Sequence, residues 1–283
     1  ETLETERRQQ SKDGTVKYLF RLPDGNCIET VLMRYSYGNT VCVSTQVGCR
    51  MGCRFCASTQ GGRVRNLTAG EIANEVYAAA RDTGERVSHI VLMGIGEPLD
   101  NFDHVMDFLS IISSPNGVNI GMRNISLSTC GLVPMIYKLA ERHLGLTLSV
   151  SLHAPTDEMR SSMMPVNDVY PVEQLIRACR DYQQETGRRV SFEYSMVNGV
   201  NDSPQTARRL AQLIKGMGAH VNLIPINPVD GSPYSATDAA NVKRFQTLLT
   251  ELGVNATVRR RLGTDISAAC GQLRREAKGG TTA

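Results

Sequence analysis

The sequence predicts an α/β protein whose core is a partial (β/α)6-type TIM barrel, preceded by a small N-terminal β extension. Runs of four to seven apolar or β-branched residues alternate with stretches of helical spacing, which is typical of βα units around a parallel sheet. Six or seven such units follow one another without a signal for chain reversal. Glycine-rich or polar segments follow several strands, where barrel enzymes place their active-site loops.

Alternating apolar residues justify the strands. A hairpin is predicted from strands 17–22 and 29–35 around a turn at Asp24 and Gly25, and it forms the N-terminal extension. The first barrel strand is predicted over 41–47. The later strands are predicted at 89–93, 124–128, 146–152, 190–196, 221–226 and 255–259.

Capping signals justify the helices. Thr68 and Glu71 have the spacing of a capping box, which predicts a helix that runs to about Arg81. Ser203 followed by Pro204 predicts a second N-cap, and Pro171 is expected at the first position of a helix. The other helices are predicted at 102–112, 133–143, 171–186, 204–215 and 238–252.

The composition is that of a globular protein. Of 283 residues, 41% are hydrophobic and 21% are charged, and the net charge of +3 is compatible with a nucleic-acid partner without requiring one. We expect no membrane span and no signal peptide, and therefore a cytoplasmic protein. Eight cysteines in a chain of this length point to metal or catalysis rather than to a disulfide scaffold. The predicted domains are an N-terminal extension at 1–38, a barrel at 39–262 and a C-terminal segment at 263–283.

Three cysteines directly after the first predicted strand have metal-binding spacing. Cys49, Cys53 and Cys56 form a C-x3-C-x2-C pattern among glycines that permit tight turns. A cuboidal [4Fe-4S] cluster takes four thiolates when all its ligands are cysteines. Three close thiolates would leave one iron open to a small molecule. Zinc is the alternative metal, and three unrelated structural cysteines are the other alternative.

Polar residues recur after the later strands. The second strand is followed by Gly94-Ile95-Gly96-Glu97-Pro98, in which Glu97 could accept a hydrogen bond from an ammonium group. Hydroxyl, imidazole and amide side chains at other strand ends suit ribose, carboxylate and adenine. An ordinary turn is the alternative for the Gly94–Pro98 segment, and capping of the next helix is the alternative for the serine and histidine residues after the third and fourth strands. These other candidates are Ser128, Ser151, Leu152, His153 and Asn227.

The cysteine spacing resembles that of the radical S-adenosylmethionine (SAM) enzymes, and Gly96-Glu97-Pro98 resembles their SAM-binding motif. Three further features are similar to the RlmN/Cfr family of radical SAM RNA methyltransferases. These are Cys42 seven residues before Cys49, the segment from Gly94 to Asn101, and Ala-Ala-Cys270-Gly-Gln-Leu after the last strand. The resemblance covers nearly all of residues 17–275. Pro98 places the pattern nearer the RlmN branch than the Cfr branch.

The resemblance implies a function and a set of roles. The chain would methylate C2 of an adenosine in 23S rRNA and in tRNA, with Cfr-type methylation of C8 as the alternative. Cys49, Cys53 and Cys56 would bind the [4Fe-4S] cluster, and Gly96, Glu97, Ser128, Ser151, Leu152, His153 and Asn227 would hold SAM. Cys270 would carry the methyl group, Cys42 would be the resolving thiol, and Glu29 would accept a proton.

The implied route consumes two SAM molecules per turnover. One methylates the Cys270 thiolate, and the second is cleaved reductively so that the methyl carbon can add to an adenine carbon that is not nucleophilic. Cys42 then attacks the Cys270 sulfur and a Cys42–Cys270 disulfide remains, which must be reduced in each cycle. We expect an electron donor such as flavodoxin with its reductase, and a monomeric enzyme.

The N-terminus and the basic residues concern RNA binding. Family members carry a small helical accessory domain, of which we expect residues 1–16 to be a remnant. Candidate phosphate contacts lie at 259–261, at Arg63 and Arg65, and at 274–278, with solvated surface charge as the alternative.

Overall fold

The computed structural model describes residues 3–226, 234–266 and 273–274. The sequence predictions for Asn227 and Cys270 therefore lie outside the described residues. The chain forms two compact units. The first unit contains the described residues of 1–50, 56–128 and 261–283, and the second unit contains those of 51–55 and 129–260.

The first unit combines an antiparallel N-terminal part with the first parallel strands. Its main sheet has the order β1-β2-β3-β4-β7-β8, antiparallel from β1 to β4 and parallel from β4 to β8. The strands are β1 (Glu4–Gln10), β2 (Val16–Arg21), β3 (Cys27–Tyr35), β4 (Gly38–Cys42), β7 (Val87–Leu92) and β8 (Ile125–Thr129), and a separate hairpin joins β5 (Gln46–Gly48) to β6 (Arg63–Asn66); the helices are α1 (Ala69–Thr83) and α2 (Phe102–Ser113).

The second unit is built from parallel strands and their connecting helices. Its strands lie in the order β9-β10-β11-β12, and neighbouring strands pair in parallel. All seven residues of β10 are buried, as expected for a strand covered on both faces. The elements are β9 (Thr147–Ser151), β10 (Val190–Met196), β11 (His220–Pro225), β12 (Asn255–Val258), α3 (Val133–Ala140), α4 (Asp157–Met163), α5 (Val172–Thr186), α6 (Pro204–Leu213) and α7 (Ala239–Glu251).

Most helix signals are confirmed. Thr68 accepts from the Glu71 amide and Glu71 accepts from the Thr68 amide, so the capping box that begins α1 is complete. Ser203 likewise caps α6 by accepting from the Thr206 amide. The predicted helix start is one residue too early: Pro171 is the N-cap, and α5 begins at Val172. The short helix α4 was not predicted.

The first barrel strand is shorter than predicted. β4 ends at Cys42, residues 43–45 belong to no strand, and the last two residues of the predicted run 41–47 belong to the β5–β6 hairpin. The buried Glu75 carboxyl accepts the Ser44 amide proton at 3.0 Å, which takes this amide out of a strand ladder. Burial raises the pKa of Glu75 well above its usual range. An acid on α1 thus ends a strand whose apolar pattern continues.

The N-terminal β extension is confirmed in kind and is larger than predicted. The hairpin of 17–22 and 29–35 is present as β2 and β3. The unpredicted strand β1 pairs with β2, and its residues are charged or polar because it is an exposed edge strand. The domain boundaries at 38 and 262 remain a prediction. In the described part of the chain, no helix has both the length and the apolarity to cross a membrane.

Candidate active site

The hairpin β5–β6 closes the base of the cysteine loop in the first unit. The Cys49 amide donates to the Gly62 carbonyl at 3.1 Å. Gly48 has a φ of +80°, and a Cβ there would lie 2.0 Å from the Gly62 oxygen. Only glycine fits at that position. Cys49 is buried, and Cys56 is half-buried at the start of a short 3-10 helix.

The middle of the cysteine loop belongs to the second unit. The Arg54 amide donates to the Met163 carbonyl at 2.9 Å, so the end of α4 holds this stretch of backbone. The Phe55 ring meets the His153 ring edge to face, with centroids 4.9 Å apart. Cys53, the residue before Arg54, is 8% exposed. The unpredicted helix α4 therefore supports one of the candidate cluster ligands.

The donor set fits an iron–sulfur cluster. The three motif cysteines supply three sulfur donors, and the tight turn at Gly48 is a feature of a loop that turns back on itself. Thiolates are the soft ligands that such clusters take. Among the side chains that the structure describes, no three His, Cys, Asp or Glu groups already converge as a metal site. The ligand roles of Cys49, Cys53 and Cys56 thus remain predictions.

The glycines of the second strand-end motif have a packing role that the sequence did not indicate. A Cβ on Gly94 would lie 2.5 Å from the Val43 carbonyl oxygen, and one on Gly96 would lie 2.6 Å from the Gln46 Cβ. Both glycines are therefore needed where this loop packs on the chain between β4 and β5. The sequence pattern indicates that these glycines let the backbone approach a ligand, but this packing alone accounts for glycine at both positions.

Glu97 and Ser128 lie where the predicted strand ends place them. Glu97 is 3% exposed, and its Oε1 accepts the Leu99 amide proton at 3.0 Å, which caps a short 3-10 helix. Its own amide donates to the Gln46 side chain at 2.9 Å. Ser128 is half-buried and is the second-last residue of β8. Glu97 thus has a capping role that the sequence did not predict, and its SAM contact remains a prediction.

His153 has a structural role directly after β9. It has a φ of +57°, and its Nδ1 accepts the Ser195 amide proton at 2.9 Å. Burial, followed by the charge of Arg160, lowers the pKa of His153 to about 3. The ring is therefore neutral at physiological pH, with its proton on Nε2. It can act as a hydrogen-bond donor but does not act as an acid there. Of its predicted neighbours, Ser151 is half-buried and Leu152 is fully buried.

Replacing His153 tests this role. His153→Ala should lower the free energy of unfolding by about 2–4 kcal/mol, because the buried Ser195 amide loses its acceptor and alanine disfavours positive φ. His153→Asn should cost less, since asparagine tolerates positive φ and offers an amide oxygen.

The pH dependence supplies a second check on the same pair of variants. The unfolded imidazole binds a proton below pH 6.5 whereas the folded one stays neutral to about 3, so stability is lost as the pH falls through this window. The stability gap between wild type and His153→Asn should narrow by about 1 kcal/mol between pH 7.5 and 5.5. Urea titrations measure it, and a constant gap would contradict the neutral ring.

Arg160 of α4 is a site residue that the sequence reasoning missed. Its guanidinium is fully buried and donates to the carbonyls of Cys130 at 2.6 Å, Ser151 at 3.2 Å and Leu152 at 3.2 Å. These carbonyls follow β8 and β9, so one side chain ties two strand ends together. No local signal could have found it, because an arginine in a polar stretch reads as a surface residue.

Two candidate catalytic residues lie together on the main sheet of the first unit. Cys42 on β4 pairs directly with Val31 on β3, and Glu29 is two residues before Val31. Directly paired residues and alternate residues share a face, so Cys42 and Glu29 are diagonal neighbours. Leu262, which leads into the C-terminal segment, packs on a cluster that contains Cys42. The fold thus brings the predicted resolving thiol, the predicted proton acceptor and the start of the Cys270 segment together.

Known proteins are similar to this chain in sequence and in fold. The Radical SAM superfamily model matches residues 43–211. A probable dual-specificity RNA methyltransferase RlmN from Desulforamulus reducens is 57% identical, over 94% of this chain and 76% of that protein. The corresponding protein of Lachnoclostridium phytofermentans is 54% identical, over 95% of this chain and 76% of that protein. The chain belongs to the RlmN/Cfr family of radical SAM RNA methyltransferases.

Membership in this family confirms the predicted fold class and enzyme class. The crystal structure of a radical SAM methyltransferase from Sphaerobacter thermophilus superimposes with a TM-score of 0.92 at 50% identity, covering 95% of this chain and 80% of that one. The chain therefore has the α/β fold of the radical SAM enzymes, consistent with a partial (β/α) barrel, and it is a methyltransferase. The family implies a [4Fe-4S] cluster and SAM.

Proposed function

We propose that this enzyme methylates C2 of an adenosine in 23S rRNA and in tRNA. The relatives named RlmN support RNA as the substrate. The observation that carries the proposal is the neighbourhood of Cys42, Glu29 and Leu262 on one face of the sheet, because the chemistry needs a resolving thiol near the carrier segment. Pro98 after Glu97 supports C2 over C8.

Each proposed residue has a defined task. Cys49, Cys53 and Cys56 would hold the cluster, which when bound supplies the electron for reductive cleavage of SAM. Gly96, Glu97, Ser128, Ser151, Leu152, His153 and Asn227 would bind SAM. The loop after β7, in which Ile95 and Glu97 are buried, would shield this chemistry from water.

The remaining residues act on the methyl group. The Cys270 thiolate would take a methyl from one SAM by displacement, and a second SAM would be consumed before the carbon joins the adenine ring. Glu29 would take the ring proton. The Cys42 thiolate would then attack the Cys270 sulfur, releasing methylated RNA and leaving a disulfide whose two electrons come from an external reductant such as flavodoxin with its reductase. We propose a monomer that acts in the cytoplasm, where such disulfides are reduced.

Product analysis tests the proposal. The reconstituted enzyme is incubated without oxygen with reductant, SAM and unmodified 23S rRNA fragment or tRNA, and the digested RNA is compared with methyladenosine standards by mass spectrometry. We expect new 2-methyladenosine in the unmodified RNA, and no further methyl transfer to RNA whose target adenosine already carries a C2 methyl. 8-Methyladenosine would show the Cfr-type reaction instead. Intact SAM cleavage with no methylated product from either RNA would contradict the proposed substrates.

A further inference from the structure

A buried ion pair lies on the N-terminal β extension. Lys17 Nζ is 2.9 Å from Glu29 Oε2, and the two side chains are 0% and 3% exposed. Leu19 pairs directly with Glu29 across β2 and β3, so Lys17 is the diagonal neighbour of Glu29 on the same face. Two fully buried charges are costly to desolvate, which makes a merely stabilising role a weak explanation for them.

The pair has a backbone partner from the other end of the chain. The Arg274 amide donates to Glu29 Oε1 at 2.6 Å, and Leu273 and Arg274 are both buried. The Lys17 ammonium group holds the Glu29 side chain in place through Oε2, which leaves Oε1 to accept from the backbone. Each carboxylate oxygen of Glu29 therefore has a partner, one from Lys17 and one from the C-terminal segment.

The segment is held at its beginning as well. The Gly263 amide donates to Asp13 Oδ2 at 2.8 Å, and the Lys12 amide donates to Asp265 Oδ2 at 3.0 Å. Ser11 also donates to Asp265. Both attachment points, before and after Cys270 in the sequence, thus lie on the N-terminal β extension.

We propose that the Lys17–Glu29 pair is an anchor that positions the methyl-carrier Cys270 by binding the Arg274 amide. Lys17 is then a positioning residue, and its position in an otherwise apolar strand does not indicate this role. The β extension acts as a platform that fixes both ends of the carrier segment. The role of Cys270 rests on the proposed function, whereas the anchoring of residues 273–274 does not.

Amide removal isolates the anchor. Arg274→Pro has no backbone N–H to donate to Glu29. Arg274→Ala keeps this N–H, and both variants lose the guanidinium. The two variants therefore differ only in the hydrogen bond and in the proline ring. Lys17→Met removes the cation and leaves the Arg274 backbone unchanged. Hydrogen exchange and maleimide labelling of Cys270, both followed by mass spectrometry without SAM or RNA, report on the segment itself.

The proposal expects agreement between the two kinds of variant. In Arg274→Pro and Lys17→Met, maleimide should label Cys270 at least about tenfold faster than in Arg274→Ala. The amide protons of the C-terminal peptide should exchange faster by the same factor, because the segment opens locally. Unfolding followed by circular dichroism checks that each variant is folded. Unchanged labelling and exchange in both Arg274→Pro and Lys17→Met would overturn the anchor.

A functional readout separates positioning from general damage. Methylation of Cys270, measured as a mass gain on its peptide in one turnover, should slow on the order of 10²-fold in both variants, since small misplacements have effects of that size. Iron content and SAM cleavage without RNA should stay at wild-type levels. Released segments with unchanged methylation rates would refute positioning. Absence of Cys270 methylation in the wild-type enzyme would instead refute the proposed function and leave the exchange result standing.

Discussion

Replacing Cys53 by alanine is expected to abolish iron binding and, with it, SAM cleavage and RNA methylation. Two remaining thiolates cannot hold a cluster that needs three protein ligands, so activity should fall by at least about 10³-fold. Iron and sulfide analysis, the visible absorption of the anaerobically reconstituted protein, and 5′-deoxyadenosine formation measure the loss.

Cys179→Ala is the matched control for this variant. Cys179 is a free cysteine of the second unit, as Cys53 is, and it is buried in α5. Burial raises the pKa of the Cys179 thiol to about 12, so it stays protonated and is no metal ligand. This variant should keep its iron and its SAM cleavage. Full iron content in Cys53→Ala would show that the motif does not bind the cluster.

Replacing Cys270 by alanine is expected to end RNA methylation while leaving the cluster intact. Without the thiolate there is no methyl acceptor, and the adenine carbon cannot attack SAM by itself. Product formation should fall by at least about 10³-fold, whereas iron content stays the same and SAM cleavage becomes uncoupled from methylation. Mass spectrometry of digested RNA is the measurement.

Cys42→Ala should block the reaction at a later step than Cys270→Ala does. Loss of the resolving thiol blocks release, so enzyme and RNA should stay covalently linked and appear as a shifted band on a denaturing gel. Cys27→Ala serves as the control, since Cys27 is another free cysteine of the first unit, on β3. Methylated RNA from Cys270→Ala, or no adduct with Cys42→Ala, would contradict the carrier and resolving roles respectively.

Local patterns predicted what depends on local physics. The alternation of strands and helices, the capping box at Thr68 and Glu71, and the N-cap at Ser203 are all present in the structure. The hydrophobic period and the capping chemistry act within a few residues, so one sequence is sufficient to predict them. The metal-ligand spacing of Cys49, Cys53 and Cys56 is equally local, and it indicated the superfamily before any partner was visible.

Tertiary structure alone decided which polar groups meet. Glu75 ends β4 from a distant helix, Arg160 ties the ends of β8 and β9, and Lys17 is buried because Glu29 faces it. Each charged residue would read as surface in its own stretch, since burial of a charge is tolerated only beside a partner that is remote in sequence. The sequence by itself thus determined the elements, the family and the motif thiols, and long-range pairing determined the supports that hold them.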